Sequence, residues 1–410
     1  MACSVLYLSY DGMTDALGQS QVLPYLKKLS HKGYKFHLIS FEKKEKFLSY
    51  GATIRVICEQ SEIHWHPLSY TKSPPLLSTL YDIHRMKRLA YHLQHENNFQ
   101  IVHCRSYLSA LIGLKMKSQF KIKFLFDMRG FWADERIEGL IWNIQNPIFK
   151  LVYRYFKRKE QKFFLEADHV ISLTYAGKEE IISWKGLEHL KDKIEVIPCC
   201  ADLTLFDPTQ VDTKKSAGYA AELAISPTNF VLGYIGSIGT WYMLDEMLLY
   251  FRHLLKQKPN SIFLFVTGEA PTKILSKAKE LGVEQNAIRI VSVVHSEVAA
   301  CISLFNASIF FIRPTFSKKA SSPTKQGELM GMGIPIICNA RVGDTAKVIN
   351  DYQAGCVING FETHDFEGID PEFPNFNKAN CQNGAKEFYS LDQGVARYQT
   401  VYSKLISVSE

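Results

Sequence analysis

Short apolar runs alternate with stretches of helical periodicity along this chain of 410 residues. The runs are rich in Val, Ile, Leu and Phe, which is typical of strands buried on both faces of a parallel sheet. The predicted strands are residues 5–9, 36–41, 54–56, 63–68, 101–105, 123–127, 168–174 and 194–198, followed by 230–235, 262–266, 288–293, 307–312, 334–338 and 355–358. Glycine-containing turns and helices separate them, so the pattern predicts an α/β fold with right-handed crossovers.

The chain is too long for one ordinary hydrophobic core, and its pattern predicts two Rossmann-like domains. A polar stretch at residues 208–228 separates two sets of strands. We therefore expect an N-terminal domain at residues 1–205 and a C-terminal domain at residues 206–389. The last segment, residues 390–410, is amphipathic and is predicted to form a helix.

Composition and charge exclude several classes of function. The chain has 46% hydrophobic and 22% charged residues, which is typical of a globular protein, and no apolar run approaches the roughly 20 residues of a membrane-spanning helix. The net charge of +7 suits an anionic partner, but nucleic acid is not expected because no known nucleic-acid-binding pattern is present. Nine scattered cysteines without metal-ligand spacing, and a start without a basic leader, predict a cytoplasmic protein with reduced thiols.

Residues 313–339 carry the strongest functional signal. A polar, basic loop follows an apolar strand and enters a short predicted helix. Ser321 or Ser322 is a good N-cap for this helix, and Pro323 suits its first position because it has no N–H group to leave unpaired. The free N–H groups of such a helix start, with Lys325 in the first turn, predict a site for a diphosphate.

Glu328 lies three residues after Lys325, on the same face of the predicted helix. Its carboxylate could accept hydrogen bonds from two vicinal hydroxyls of a ribose. Gly331, Gly333 and Pro335 then end the helix and return the chain to the sheet. The alternative interpretation is an ordinary capped helix with a solvated Lys325.

A glycine loop follows the first strand of each predicted domain. The first loop, residues 10–20, contains Gly12 and Gly18, but its spacing is not that of a dinucleotide site. It is either part of a ligand site or a plain strand-to-helix turn. The second loop begins at Gly236 and contains Gly239, and its glycines would let backbone N–H groups approach a phosphate.

Two consecutive strands of the first half end in charged residues. His103 and Arg105 close one strand, and Asp127, Arg129 and two further acids follow the next. The carboxyl ends of parallel strands meet at one edge of a sheet, so these residues predict a polar wall there. Asp127 and Arg129 are the strongest candidates, with ion pairing at the surface as the alternative, and His103 is as readily a structural residue.

Residues 146–162 predict a basic amphipathic helix. One face carries Lys150, Arg154, Lys157 and Arg158. The other face carries Ile148, Val152 and Tyr155. Such a helix could lie on an anionic membrane surface. The alternative is a domain helix with its apolar face in the core and its basic face in water.

The eight residues from Glu328, reading Glu-Leu-Met-Gly-Met-Gly-Ile-Pro, resemble the second half of the Glu-x7-Glu motif of retaining glycosyltransferases of family 4, together with the segment that follows it. The first Glu of that motif would fall at Ala320. The form Ser-Pro-Thr-Lys-x-Gly-Glu resembles a variant branch of the family. Pro198, Asp202 and Phe206 also match the linker between the two domains of that family.

The resemblance extends over nearly the whole chain and is strongest at residues 231–339. It implies the GT-B architecture, in which two Rossmann-like domains with parallel sheets face each other across a cleft, and in which the helix at 390–410 packs back on the first domain. The implied reaction moves a sugar from a nucleoside diphosphate sugar, most readily a UDP- or GDP-sugar, to an acceptor hydroxyl with retention. Neither a metal ion nor a further cofactor is expected.

The residues and the resemblance together give a set of candidate site residues. Donor binding is expected from Gly236, Ser237, Gly239, Arg313, Lys319, Ser322, Thr324, Lys325 and Glu328. The acceptor side is expected from Gly18, Gln19, His103 and Arg129. The expected catalytic residues are Asp127, Arg129 and Lys325. Family members usually carry an Arg and a Lys after the second glycine loop, where this chain has Thr-Trp-Tyr-Met, so the charge that binds phosphate must come from lysines elsewhere.

The family resemblance and the basic helix together suggest polysaccharide or glycolipid assembly on a lipid-linked or saccharide acceptor, with the protein peripheral to the inner face of the membrane. Two other functions stay open from the sequence. One is a nucleotide-sugar epimerase on the same fold. The other is a non-catalytic protein that binds a nucleotide sugar or a partner protein, which the loss of Glu at Ala320 keeps open.

Overall fold

The computed structural model describes residues 3–407, and the chain divides into two compact units. Unit 1 contains the chain up to Pro198 and the C-terminal segment from Leu391, while unit 2 is Cys199–Ser390. Each unit is built on one parallel sheet, of seven strands in unit 1 and six in unit 2. The predicted α/β class with two parallel-sheet domains is therefore confirmed.

The sheet of unit 1 has the strand order β3-β2-β1-β4-β5-β6-β7. Its strands are β1 (Ser4–Ser9), β2 (Lys35–Glu42), β3 (Ile63–Ser69), β4 (Ile101–Arg105), β5 (Lys123–Asp127), β6 (His169–Ser172) and β7 (Ile194–Val196). The order reverses between β1 and β4, because the chain first runs outward to β3 and then returns to the other side of β1. Polar groups at such a reversal are placed to meet a ligand.

The helices that connect these strands are α1 (Ala16–Gln21), α2 (Leu23–Ser30), α3 (Lys44–Gln60), α4 (Leu77–Asn97), α5 (Ser106–Phe120), α6 (Trp132–Glu138), α7 (Pro147–Glu166) and α8 (Tyr175–Ile182). The predicted strand at residues 54–56 is wrong, because these residues lie inside α3. The buried side of that helix carries Gly51, Ile54 and Cys58 at helical spacing, while Val56 faces solvent.

The predicted helix at residues 21–32 is displaced in the structure. Helix α1 begins at Ala16, and the helix breaks at Val22 before α2. Pro24 follows two residues later. Proline has no N–H group to donate to the helical hydrogen bond, and it disfavours a helical conformation in the residue before it. Gly33 follows α2 with a φ of 92°, in the left-handed region that favours glycine.

The sheet of unit 2 has the order β10-β9-β8-β11-β12-β13. Its strands are β8 (Val231–Ile235), β9 (Ile262–Val266), β10 (Ile288–Val291), β11 (Ala307–Phe310), β12 (Ile336–Asn339) and β13 (Gly355–Ile358). Here the order reverses between β8 and β11. Both strands are fully buried, so only their carboxyl ends can meet a ligand.

The helices of unit 2 are α9 (Thr213–Glu222), α10 (Leu244–Gln257), α11 (Pro271–Glu280), α12 (Val298–Ile302), α13 (Thr324–Met332), α14 (Thr345–Asp351), α15 (Thr363–Glu367) and α16 (Lys378–Gly384). Helix α9 falls within the polar stretch 208–228 and is capped by Asp212, whose side chain accepts from the N–H groups of Lys214 and Lys215. None of the residues of α9 is fully buried, which explains why a helix can lie within a polar stretch.

The last helix, α17 (Leu391–Ser407), belongs to unit 1. Its Arg397 Nη1 donates to the carbonyl of Val196 at 2.7 Å, and Lys28 forms an ion pair of 2.6 Å with Asp392. The predicted helix at 390–410 extends to residues 408–410, which lie outside the described residues. Within residues 3–407, no helix has the length and hydrophobicity that crossing a bilayer requires.

Candidate functional site

The two segments of unit 2 predicted to bind a donor meet at the reversal between β8 and β11. Backbone hydrogen bonds of 2.9 Å join the segment after the glycine loop to the segment after β11, from Arg313 N to Trp241 O and from Met243 N to Phe311 O. Tyr242 forms an antiparallel bridge with Ile312. The glycine loop and the loop that leads to α13 thus form one polar edge, although about 75 residues separate them in the sequence.

Lys325 is the central side chain of this edge. Its Nζ lies 3.9 Å from the ring centroid of Tyr234 and 3.7 Å from that of Tyr242, and both contacts are cation–π contacts. The residue is 7% exposed, and its ammonium has no hydrogen-bond partner among the residues that the structure describes. Gly236, with a φ of 91°, passes so close that a Cβ there would lie 3.7 Å from Lys325 Nζ.

Burial shifts the pKa values of Lys325 and Glu328 in opposite directions. Burial lowers the pKa of Lys325 well below its ordinary value, although the neighbouring Glu328 opposes that shift. Burial also raises the pKa of Glu328 to about 7, and Lys325 opposes this shift in turn. A buried amine without a hydrogen-bond partner costs free energy.

Helix α13 begins at Thr324, one residue later than predicted, and Pro323 occupies the cap position. The prediction that Ser321 or Ser322 caps this helix is wrong, since no side-chain cap hydrogen bond is formed. Instead Ser322 Oγ accepts a hydrogen bond of 3.2 Å from the backbone N–H of Cys199. The helix start therefore keeps N–H groups and the positive end of its dipole available to an anion.

The end of α13 follows the prediction at Gly333, which is the C-cap with a φ of 68° in the left-handed region. Gly331 has a different role, because it lies inside the helix. A Cβ at Gly331 would come within 2.8 Å of the carbonyl oxygen of Phe206. This glycine lets α13 pack closely against the first segment of unit 2.

A carboxylate that sequence reasoning missed lies at the glycine loop. Ser237 Oγ donates a hydrogen bond of 2.9 Å to Glu269 Oε1. This bond, assisted by the N–H groups of Ile238 and Gly239, lowers the pKa of Glu269. The Glu269 side chain is 28% exposed. Glu269 directly follows Gly268, shortly after the end of β9. A glycine after a buried strand was the sequence signal that could have identified Glu269 as a site residue.

The segment after the glycine loop carries aromatic rings where family 4 enzymes usually carry Arg and Lys. Lys318 Nζ lies 3.7 Å above the ring of Trp241, as Lys325 lies against Tyr242. Lys318 from the turn before α13 and Lys325 from the first turn of α13 therefore bring positive charge to a position next to the replaced residues. Aromatic residues directly after a glycine loop were the sequence signal for these contacts.

The remaining predicted donor residues lie around this edge. Arg313 and Lys319 are exposed on the loop before α13, and Thr324 is half-buried at the first position of the helix. Ala320, at the position of the missing glutamate, is completely buried in the 3-10 turn Phe316–Ala320. The edge is thus cationic, with Glu269 and Glu328 as its acids.

Two of the charged residues predicted for the site in unit 1, Asp127 and His103, lie under helix α17. Asp127 is fully buried and accepts a hydrogen bond of 3.0 Å from Tyr398, while His103 lies 2.7 Å from the hydroxyl of Tyr402. Burial lowers the pKa of His103, so its imidazole is neutral near pH 7. Arg129 lies 3.8 Å from Asp127 and has a φ of 56°, which is uncommon for a residue with a side chain.

The glycine loop of unit 1 is filled by a side chain of β2. Glu42 accepts hydrogen bonds from Met13 N at 2.8 Å and from Thr14 N at 3.0 Å. Gly18 is buried beneath this loop, and Gln19 is exposed on α1 with its amide donating to Thr14 O at 3.2 Å. Among residues 3–407, no group of three His, Cys, Asp or Glu side chains is arranged to hold a metal ion.

Two family models match the chain. The model described as Glycosyltransferase Family 4 matches residues 20–205, and the model described as Glycosyl transferases group 1 matches residues 218–367. The chain is 21% identical over 276 residues to D-inositol 3-phosphate glycosyltransferase from Nocardia farcinica, an alignment of 65% of this chain and 57% of that protein. The chain thus spans little more than half the length of that relative.

Solved structures share the fold of the entire chain. Sucrose-phosphate synthase from Thermosynechococcus elongatus superposes with a TM-score of 0.73 at 14% identity, covering 99% of this chain and all of the other. HepE from Anabaena, in complex with UDP and glucose, superposes with a TM-score of 0.69 at 12% identity, covering 97% of this chain and 99% of the other. At these identities the likeness concerns the fold.

Proposed function

This chain belongs to the GT-B glycosyltransferases, with a Glycosyltransferase Family 4 domain followed by a group 1 domain, and from that premise we propose that it transfers a sugar from a nucleoside diphosphate sugar to an acceptor hydroxyl with retention of configuration. The observation that carries the proposal is the buried Lys325 ammonium, which lacks a hydrogen-bond partner among the described residues at the reversal of the unit 2 sheet.

The diphosphate of the donor would bind at the start of α13. Lys325 and the first N–H groups of the helix would neutralise the charge that develops on the leaving diphosphate, without a divalent metal. Lys318 and the N–H groups of the glycine loop would hold the outer phosphate oxygens. The Lys325 ammonium is preorganised, because Tyr234 and Tyr242 hold it in place before the nucleotide sugar binds.

Glu328 would accept hydrogen bonds from the two ribose hydroxyls of the donor. A bound diphosphate favours the charged form of Lys325, and the ammonium in turn lowers the pKa of Glu328 and keeps its carboxylate ionised. The leaving phosphate would receive the acceptor proton in a front-face route, which needs no enzymic nucleophile. The UDP bound in the similar HepE structure supports a uridine nucleotide, with GDP as the alternative.

The acceptor would be a saccharide or a lipid-linked saccharide in polysaccharide or glycolipid assembly. Unit 1 would supply the acceptor side, with Arg129 as the candidate that retains some exposure and Asp127 orienting it. His103 and Asp127 also anchor α17 through Tyr402 and Tyr398. We further propose that the protein acts at the inner face of a membrane.

A thermal-shift screen of UDP-, GDP-, ADP- and dTDP-sugars, each with and without a chelator, tests the donor site. We expect one nucleotide class to raise the melting temperature by several degrees, and the chelator to leave that shift unchanged. The matched variants are Glu328→Gln on α13, which should reduce the shift, and Lys319→Gln, which changes an exposed cation of the loop before α13 and should reduce it less. An equal shift in wild type and Glu328→Gln would contradict the ribose assignment.

A further inference from the structure

The loop between α6 and α7 and the first half of α7 expose a set of large apolar side chains. The set, called here the apolar ridge, is Leu140, Ile141, Ile144, Ile148, Leu151 and Tyr155. Leu140 is 82% exposed and Leu151 is 70% exposed. Single exposed apolar residues are common, but six within sixteen residues form a patch that marks an interaction surface.

The ridge is held in position by the core of unit 1. Trp142 lies within the ridge segment but is buried, with its ring 5.2 Å from that of Trp132 and stacked 6.0 Å from that of Phe156. Asn146 caps α7 by accepting a hydrogen bond of 2.9 Å from the N–H of Ile148. The apolar side chains therefore point outward from an anchored loop.

Leu140 has a φ of 59°, a left-handed conformation in which a branched residue costs more than glycine. It occupies the position after Gly139, the C-cap of α6, and glycine is the usual residue at that position. Strain of this kind persists where the surroundings enforce it, and it clusters at functional positions. Here it brings the most exposed side chain of the ridge to the surface.

The charged side chains between residues 139 and 159 are all positive. Residues 139–159 contain no Asp or Glu, while Lys150, Arg154 and Arg158 are exposed on α7. Lys157, in contrast, faces inward to Asp134 and Glu160. Within residues 3–407, the exposed three form no salt bridge, so their charge is available to an anionic partner.

The arrangement differs from the sequence-based interpretation in which the apolar face of Ile148, Val152 and Tyr155 lies in the core. The side of α7 that packs on unit 1 carries Phe156, Phe163 and Phe164, while Ile148 and Tyr155 face solvent. The helix thus has a second apolar surface, next to its basic residues. A domain helix that met only its own core and water would not need that surface.

We propose that the apolar ridge docks on an anionic lipid bilayer. The ridge would enter the boundary between headgroups and acyl chains, while Lys150, Arg154 and Arg158 would contact lipid phosphates. Apolar residues beside cations without acids are the composition of surface-bound membrane helices. A second copy of this chain fits less well, because a two-fold contact would place the same cations face to face. This inference rests on the membrane location proposed above and names the surface responsible for it. Docking itself requires neither the nucleotide sugar nor the sugar acceptor.

Cosedimentation of the full chain with vesicles tests the ridge. We expect binding to vesicles that contain phosphatidylglycerol, weak binding to phosphatidylcholine alone, and release by added salt. The double variant Leu140→Asp with Leu151→Asp should lose about tenfold in vesicle affinity. Aspartate tolerates the left-handed conformation at 140, so the variant should keep the urea midpoint of the wild type.

Val294→Asp is the matched control, since Val294 is 64% exposed in unit 2. It should leave vesicle binding unchanged. A double variant with wild-type vesicle affinity would overturn the proposal. So would a wild-type chain that dimerises through the ridge by light scattering and does not bind vesicles. The vesicle assay contains no nucleotide, so its failure would leave the transfer reaction untouched, and a failed nucleotide screen would leave the docking surface untouched.

Discussion

The two glycine loops of this protein follow the first strand of each unit, and each receives a carboxylate, but in different ways. In unit 1, Glu42 is buried and accepts from Met13 N, Thr14 N and Ser40 Oγ, the last at 2.6 Å. In unit 2, Glu269 remains partly exposed and accepts from Ser237. The first carboxylate is part of the core, and the second lies at the surface of a cationic edge.

The space around the glycines shows the same contrast. A Cβ at Gly12 would come within 2.6 Å of the carbonyl oxygen of Phe41, whereas a Cβ at Gly239 would meet only Ser237 Oγ at 3.6 Å. The Glu42 side chain fills the loop of unit 1 and accepts hydrogen bonds from the N–H groups of Met13 and Thr14. These N–H groups therefore need no ligand. The loop of unit 2 has room beside it, next to the ammonium of Lys325, which has no hydrogen-bond partner among the described residues. We propose that an incoming anion replaces the carboxylate there.

The largest effect is expected from Glu42→Ala, which removes the acceptor for several buried donors at once. We expect the free energy of unfolding to fall by about 3 kcal/mol, because each buried donor left unpaired is costly. Urea unfolding measures the loss. Glu269→Ala, the same change in the other loop, should cost less than about 1 kcal/mol. Equal losses in the two variants would remove the distinction between the loops.

Lys325→Met tests the comparison at the glycine loop of unit 2. The methionine fills a similar volume between the two tyrosines but removes the positive charge that binds phosphate. We expect affinity for the nucleoside diphosphate sugar to fall by about 30-fold or more, with the free energy of unfolding unchanged or higher by about 1 kcal/mol. Calorimetry and urea unfolding measure the two quantities. A variant that loses stability and keeps its donor affinity would make Lys325 a structural residue.

The open site should also change its protonation when it fills. Burial lowers the pKa of Lys325, and this pKa should rise beside a diphosphate, while Glu328, with a pKa of about 7, is already ionised above that pH. At a pH above the lowered pKa of Lys325, donor binding should therefore take up protons, and affinity should fall as the pH rises further. Calorimetry in buffers of different ionisation enthalpy measures the uptake. Binding without proton uptake would mean that Lys325 is charged before the donor arrives.

The smallest effect is expected from Glu269→Gln. This change removes a negative charge that competes with phosphate for the glycine loop, so donor affinity should rise by about two- to fivefold. Titration of the nucleotide against both proteins measures the difference. The control is Glu280→Gln, which removes an exposed carboxylate at the end of α11 and should leave affinity unchanged. A fall in affinity would instead make Glu269 a direct donor ligand.

Much of the fold could be predicted because buried parallel strands leave a plain sequence signal. The runs at 101–105, 123–127 and 262–266 match the observed strands, since most of their side chains are apolar and nearly all are buried. The run at 54–56 was misassigned because three apolar residues fit a strand and a helix equally well. The length of the surrounding helix, Lys44–Gln60, decided between them.

By itself, the sequence determined the α/β class, the two sets of strands, the helix that ends at Gly333, and the presence of Lys325 and Glu328 on one short helix. These features depend on local periodicity and on backbone conformations that only a few residues adopt. The tertiary structure decided that Tyr234 and Tyr242 enclose Lys325, that Glu42 closes one glycine loop, and that Asp127 lies beneath α17. Those contacts join residues far apart in the chain, and long-range packing sets which charges are buried and which stay available to a ligand.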